Sequence, residues 1–174
     1  QQLFTVPAAG ASEQLLERTE HNAEGLLLDL ECPSMSGTDA QPNRCPALAG
    51  KTSITLHHPN GKPSQVMSLK NGLLDGESKD FDDKSALIGI DTFKAGKREG
   101  LLRRFNKEGK PYLEAHFAQD VLDGAAQCFQ DDGTVCFDIT WQKGVPVRQR
   151  TYFLNGQPRA DVRAEEDHVK VSSF

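Results

Sequence analysis

No run of apolar residues in this chain approaches the roughly 18 that a membrane-crossing helix needs. The longest apolar cluster, Leu26-Leu27-Leu28, is cut by Asp29. Positive charge is not in excess either. The net charge is −5, and a chain without a basic stripe has no electrostatic footprint for nucleic acid and little attraction to anionic lipid. Hydrophobic residues make up 37% of 174 residues, which allows one domain or one array but only a thin core. The chain has no phosphate-binding glycine loop and no Cys-x-x-Cys of the kind that builds zinc sites. Asp131-Asp132-Gly133-Thr134 has the look of a calcium-loop fragment, but the full ligand pattern with its terminal Glu is missing. His57-His58 are adjacent and would point to opposite sides of a strand, so they do not chelate one metal together. Glu114 and His116 share a face, yet no serine or cysteine nucleophile has a place beside them. An enzyme, a metal and a cofactor are therefore not expected.

What the chain does have is a period. Phe81, Phe105, Phe129 and Phe153 are spaced by 24 residues, as are Leu69, Phe93, Phe117 and Trp141. Gly76, Gly100 and Gly124 keep the step, and so do Gly72, Gly96 and Gly144, with Asp120 standing in the gap. A period of this size marks one small unit stacked in a row, and such arrays mostly make extended binding surfaces. Each unit holds two turn signals. Asn60-Gly61, Glu108-Gly109, Asp132-Gly133 and Asn155-Gly156 place glycine where positive φ is needed. Lys70-Asn71-Gly72-Leu73-Leu74-Asp75-Gly76 and its equivalents supply the second reversal. Between turns the character alternates: Val135, Phe137, Ile139 and Trp141 on one side, Cys136, Asp138, Thr140 and Gln142 on the other. The expected fold is mainly β, an elongated antiparallel meander of roughly nine to eleven short strands built from hairpin repeats.

Four cysteines fall in two close pairs, Cys32 with Cys45 and Cys128 with Cys136. Two local disulfides and an oxidising, periplasmic or cell-envelope compartment are the favoured reading; four free thiols are the alternative. A Cys128–Cys136 bridge makes those residues a cross-strand pair, so that Phe129 faces Val135, Gln127 faces Phe137 and, one unit earlier, Arg103 faces Leu113. On that register the apolar side holds Phe105, Leu113, Ala115, Phe117, Phe129, Val135, Phe137, Ile139 and Trp141, with the disulfide on the other side. That other side carries Arg104, Glu114, His116, Asp138, Arg150 and Tyr152, the candidate partner-binding residues. A plain solvated sheet face is the competing account.

Residues 1–50 break the period. Ser12 to Arg18 reads as a short helix with Ser12 as its N-cap. Ala23-Glu24-Gly25-Leu26 reads as a degenerate repeat in phase with Arg98-Glu99-Gly100-Leu101, and Cys32–Cys45 would staple the loop that follows, contributing about 2–3 kcal/mol. This part reads as an N-terminal cap, its stapled loop equally as a binding loop, residues 51–160 as the array, and 161–174 as a polar tail that adds one edge strand or stays mobile. Gln1-Gln2-Leu3-Phe4 does not have the form of a secretory leader; a processed chain is expected, with membrane association only through a signal or lipid anchor ahead of Gln1.

His58-Pro59-Asn60-Gly61-Lys62, Phe105-Asn106-Lys107-Glu108-Gly109-Lys110 and Lys70 to Glu77 resemble the MORN-variant repeat family, whose best-named members are YwqK-type antitoxin proteins. The resemblance covers about residues 50–157 and departs at Ser85, Asp120 and Arg148, where glycines are missing. It implies a hairpin array used for protein contact, with a secreted bacterial toxin or effector as the partner and no shared catalytic residues. A cell-envelope scaffold is the second function class.

Overall fold

The computed structural model describes residues 18–31, 48, 50–164 and 169–173. Two sheets and the turns between their strands account for most of them. Strands β1 (Arg18–His21) and β2 (Leu27–Glu31) form a hairpin of their own. The other twelve strands form one antiparallel sheet: β3 (Ser53–His57), β4 (Pro63–Lys70), β5 (Leu73–Phe81), β6 (Leu87–Lys94), β7 (Lys97–Arg98), β8 (Gly100–Phe105), β9 (Pro111–Ala118), β10 (Val121–Phe129), β11 (Val135–Gln142), β12 (Val145–Tyr152), β13 (Pro158–Ala164) and β14 (Val169–Ser173). The order follows the chain, with the two-residue β7 lying off the path beside β6. The mainly-β meander read from the repeat is thus the fold. No α-helix occurs among the described residues. The helix expected over Ser12–Arg18 falls outside them except for Arg18, which opens β1 as a strand. Cys32 and Cys45 also lie outside them.

The hydrogen bonds show why two turn signals make one unit. In the first turn, residue i donates its N–H to the carbonyl of i+4, and the amide of i+3 returns to the carbonyl of i. His58 with Lys62 and Gly61, Asn106 with Lys110 and Gly109, and Gln130 with Thr134 and Gly133 all do this at 2.8–3.0 Å. Asp82 does the same with Ala86 and Ser85. Ser85 tolerates φ of 73° there because Asp82 Oδ1 also accepts from the amides of Lys84 and Ala86, at 2.9 and 2.8 Å. The second turn has positive φ at both central residues, Asn71-Gly72, Ala95-Gly96, Gln119-Asp120 and Lys143-Gly144, the type I′ geometry that suits the twist of a two-residue hairpin. Asp120 can replace glycine here for a local reason: its Oδ1 accepts the Arg98 amide at 2.7 Å.

Consecutive units are stitched at this second edge. The amides of Gly96, Asp120 and Gly144 donate to the carbonyls of Leu74, Arg98 and Leu122, at 2.8–3.0 Å. At the first edge His58 Nε2 lies 2.9 Å from the Phe81 carbonyl, and Asn60 Nδ2 donates to the Asp83 carbonyl. These bonds let an array with few deeply buried apolar residues hold its strands. Ile54, Leu69, Ala115 and Ala126 are the well-buried apolar side chains among the described residues.

The register differs from the expected one. Phe129 does face Val135, and Phe105 faces Pro111, but Cys128 faces Phe137 and Arg104 faces Leu113. One extra residue enters each incoming strand just after the turn: Ser64, Ile88, Tyr112 and Cys136 are unpaired between flanking pairs, every 24 residues. Such a bulge shifts everything beyond it to the other face. The Cys128–Cys136 disulfide is formed, with a Cα–Cα distance of 5.4 Å, and it ties the bulge residue of this unit to the neighbouring strand. Cys128 pairs with Leu113 and Phe137, so it belongs to the aromatic face rather than opposite it, while Phe105, next to Arg104, and Phe129, opposite Val135, take the other face instead of the apolar side expected for them.

The period also differs, shortening to 23 after Phe129. Tyr152 faces Pro158 as Phe129 faces Val135, and Phe153 N donates to Gln157 O as Gln130 N does to Thr134 O. Phe153 is therefore a turn residue, 46% exposed, and Tyr152 takes the strand position. The missing residue lies near Arg148, where Thr140 pairs with Arg148 and Trp141 with Pro146; the longer bulge around Gly76 and Gly124 is cut down, and its glycine is no longer needed. Gly25 is also half a unit out of phase with the expected alignment. Its amide donates to the Asn22 carbonyl and Asn22 N to Leu26 O, both at 3.0 Å, which matches the turn at Asn106–Gly109 rather than Gly100.

Replacing Cys128 and Cys136 together by serine is expected to cost about 2 kcal/mol, modest because the closed loop is short. Urea unfolding of the oxidised protein against the double variant reads this as a lower midpoint with little change in slope.

Candidate functional site

Residues directly opposite on neighbouring antiparallel strands share a face, and alternate residues along a strand change face. Gln127, Asp138, Arg150, Asp161 and Ser172 stand opposite one another across β10 to β14. Glu114 and Arg103 extend the row to β9 and β8. With His116 two residues along from Glu114, this is the polar face. Five of the six residues expected to bind a partner lie on it: Glu114, His116, Asp138, Arg150 and Tyr152. Arg104 does not. It pairs with Gly89 and Leu113, on the aromatic side, because the bulge at Tyr112 moves it there.

The polar face is held by cross-strand ion pairs and hydrogen bonds. Arg103 Nε donates to Glu114 Oε1 at 2.9 Å. Asp138, whose side chain is 10% exposed, accepts from Arg150 Nε at 3.0 Å and from the Tyr152 hydroxyl at 2.6 Å. The hydrogen bond to this carboxylate holds the Tyr152 proton and pushes its phenol above the ordinary value, with burial acting the same way. Asp161 accepts from Arg148 Nε and Nη2, at 2.9 and 2.6 Å, and from Arg163 Nε and Nη2, at 3.2 and 2.9 Å. Donation first from Arg148 and then from Arg163 drives its carboxyl far below the usual carboxylate range.

The sign of that shift gives a pH dependence. A carboxyl with a depressed folded-state pKa stabilises the fold above its unfolded value, about 3.9, and loses that contribution as pH falls toward the folded value. The urea midpoint of the protein is expected to fall between about pH 5 and about pH 2, and Asp161→Asn is expected to flatten that part of the curve. Equal slopes for both proteins would contradict this role.

A second polar group sits on the aromatic face. Asp91 is 5% exposed and receives Arg98 Nε at 3.1 Å and Arg104 Nη2 at 2.7 Å. Arg98 also lies over the rings of Phe93 and Phe117, 5.8 Å from each centroid, a cation–π contact that adds to the ion pair. Gly89 leaves the room for Arg104: a Cβ there would come within 2.8 Å of Arg104 Nη1 and 3.0 Å of Asp80 Oδ2. The pairings of these charges with one another do not follow from the sequence reading. Their signal is a spacing of opposite charges near half a repeat, Asp138 to Arg150, Arg148 to Asp161 and Arg103 to Glu114, which places them on adjacent strands.

His57 and His58 go to separate partners, the Leu27 and Phe81 carbonyls. Asp132 bonds the amide and hydroxyl of Thr134, at 2.8 and 2.6 Å, which is the work of a turn.

No family model and no curated protein matches the chain. Among solved structures, it is similar to TarM at 17% identity over 69% of its length, with a TM-score of 0.39. It is likewise similar to an S. aureus TarM mutant in complex with fondaparinux, alpha-GlcNAc-glycerol and UDP, at 16% identity over 68% and the same TM-score. The chain spans about a fifth of the length of those proteins, and likeness at this level decides nothing about the site.

Proposed function

We propose that this chain is a non-catalytic binding protein, a periplasmic immunity protein that neutralises a secreted bacterial toxin or effector by occupying its active site. The observation that carries the reading is the state of the polar face. Glu114, Asp138, Arg150 and Tyr152 are fixed by bonds of 2.6–3.0 Å to neighbours on adjacent strands. Side chains already held in place lose little freedom on docking, and a face with both charge signs in fixed positions selects its partner by electrostatic complementarity. The net charge of −5 would steer the chain toward a basic cleft. The Cys128–Cys136 disulfide is compatible with an oxidising extracellular or periplasmic location.

The test is co-expression with the product of the adjacent gene, directed to the periplasm. The reading requires rescue of growth and co-purification of the two proteins. No rescue, with no complex at micromolar concentration, would sink it. A cell-envelope scaffold is the second reading, favoured by Leu154 at a turn tip, 84% exposed beside Phe153. Sedimentation with envelope lipid or peptidoglycan, abolished by Leu154→Ser, separates the two.

A further inference from the structure

The C-terminal end of the polar face carries an arrangement that costs stability as it stands. Arg148 faces Arg163 across β12 and β13, and Arg163 faces Lys170 across β13 and β14. Like charges directly opposite one another are destabilising. The carboxylate of Asp161 compensates only part of this. It takes two donors from Arg148 and two from Arg163, while each guanidinium has five N–H donors on a fork with more than one edge. Asp161 thus turns the Nε–Nη2 edge of both arginines toward itself and braces them, without using their remaining donors.

Beside this pair the sheet has a cleft of about 130 Å³, lined by Asp161, Arg163, Lys170 and Ser172. Among the described residues, Arg148, Arg163 and Lys170 set against Asp161 sum to +2 in a chain whose net charge is −5. The cleft is several times the roughly 30 Å³ that a water molecule occupies, enough for a tetrahedral or planar oxyanion. Arg163 offers a fork suited to two oxygens, Lys170 a point charge, and Ser172 a hydroxyl that can donate. The side chains come from two adjacent strands in register, so the site is preformed.

We propose that this cleft is an oxyanion-binding site, taking a phosphate group or a carboxylate. An oxyanion there would answer the repulsion along the Arg148–Arg163–Lys170 row and use donors that Asp161 leaves over. The inference does not rest on the immunity reading, because it concerns a small ligand and needs no protein partner.

Isothermal titration of the full chain with inorganic phosphate, and separately with succinate, tests it at constant ionic strength maintained with sodium chloride. Saturable binding in the millimolar range or tighter is expected for at least one of the two. Phosphate alone or succinate alone identifies the source, and both would mean that the site reads the oxyanion itself. Lys170→Gln, an exposed substitution on the edge strand, should weaken binding at least about fivefold, and Arg163→Gln at least about tenfold, the latter about 1.4 kcal/mol. Circular dichroism of both variants checks the fold. Binding of neither ligand up to 10 mM, about the weakest range such a site could use, would overturn the proposal. So would binding that neither substitution weakens.

Discussion

Asp138→Ala is expected to destabilise the protein by about 2–4 kcal/mol, the range for removing one member of a buried charged network. Asp138 is nearly buried and receives both the Arg150 guanidinium and the Tyr152 hydroxyl. Without it the hydroxyl has no acceptor there, and a positive charge remains on a partly desolvated sheet. Arg150 is 41% exposed, so water recovers some of the loss, which places the expected value below that for a fully enclosed pair. Asp138→Asn should be milder, because an amide oxygen can still accept one of the two bonds. A double-mutant cycle with Tyr152→Phe isolates the hydroxyl bond, and a coupling energy near zero would show that the 2.6 Å contact adds nothing to stability.

Gly124→Ala is expected to cost about 2–3 kcal/mol, from a backbone region that L side chains rarely adopt together with a tight contact. Gly124 has φ of 108°, and an added Cβ would sit 3.2 Å from His116 Cβ, an atom with no freedom to swing away. Gly133→Ala is the control. It too has positive φ, but nothing lies within 4 Å of an added Cβ, and the cost should be about 1 kcal/mol. Urea unfolding of the two variants separates local strain from packing. Equal losses would mean that the contact with His116 contributes nothing.

The repeat makes most of the architecture legible in the sequence. Glycine and asparagine at fixed offsets report turns directly, because positive φ is a local property. Alternation in a segment such as Val135 to Gln142 reports a strand in the same way. Register was harder to read. The extra residues Ile88, Tyr112 and Cys136 look like ordinary strand members, and the bulge exists only in the pairing with the next strand. One unrecognised bulge was enough to put Arg104 on the wrong face while Glu114, His116, Asp138, Arg150 and Tyr152 were assigned correctly. The 23-residue unit was hidden by coincidence, since Phe153 keeps the step of 24 while Tyr152 takes the structural position. The ion pairs went unread for a related reason. Asp91 with Arg98 and Arg104, and Asp161 with Arg148 and Arg163, are pairings between strands, and charged residues in a sequence do not declare which neighbour they will meet.

The proposal that the polar face binds a protein is tested most directly on two of its residues, Glu114 and His116, whose polar contacts are few. His116 is exposed, its Nδ1 3.2 Å from the Ala125 carbonyl, and Glu114 pairs with the 46% exposed Arg103. Equilibrium binding of the neighbouring gene product should be measured against wild type and Glu114→Gln/His116→Ala, the glutamine keeping an oxygen for Arg103, with unfolding midpoints recorded alongside. The account predicts a complex with wild type that the double variant weakens at least about tenfold, roughly 1.4 kcal/mol, at nearly unchanged stability. A complex of undiminished affinity would contradict the assignment of this face, and no complex at micromolar concentration would contradict the function.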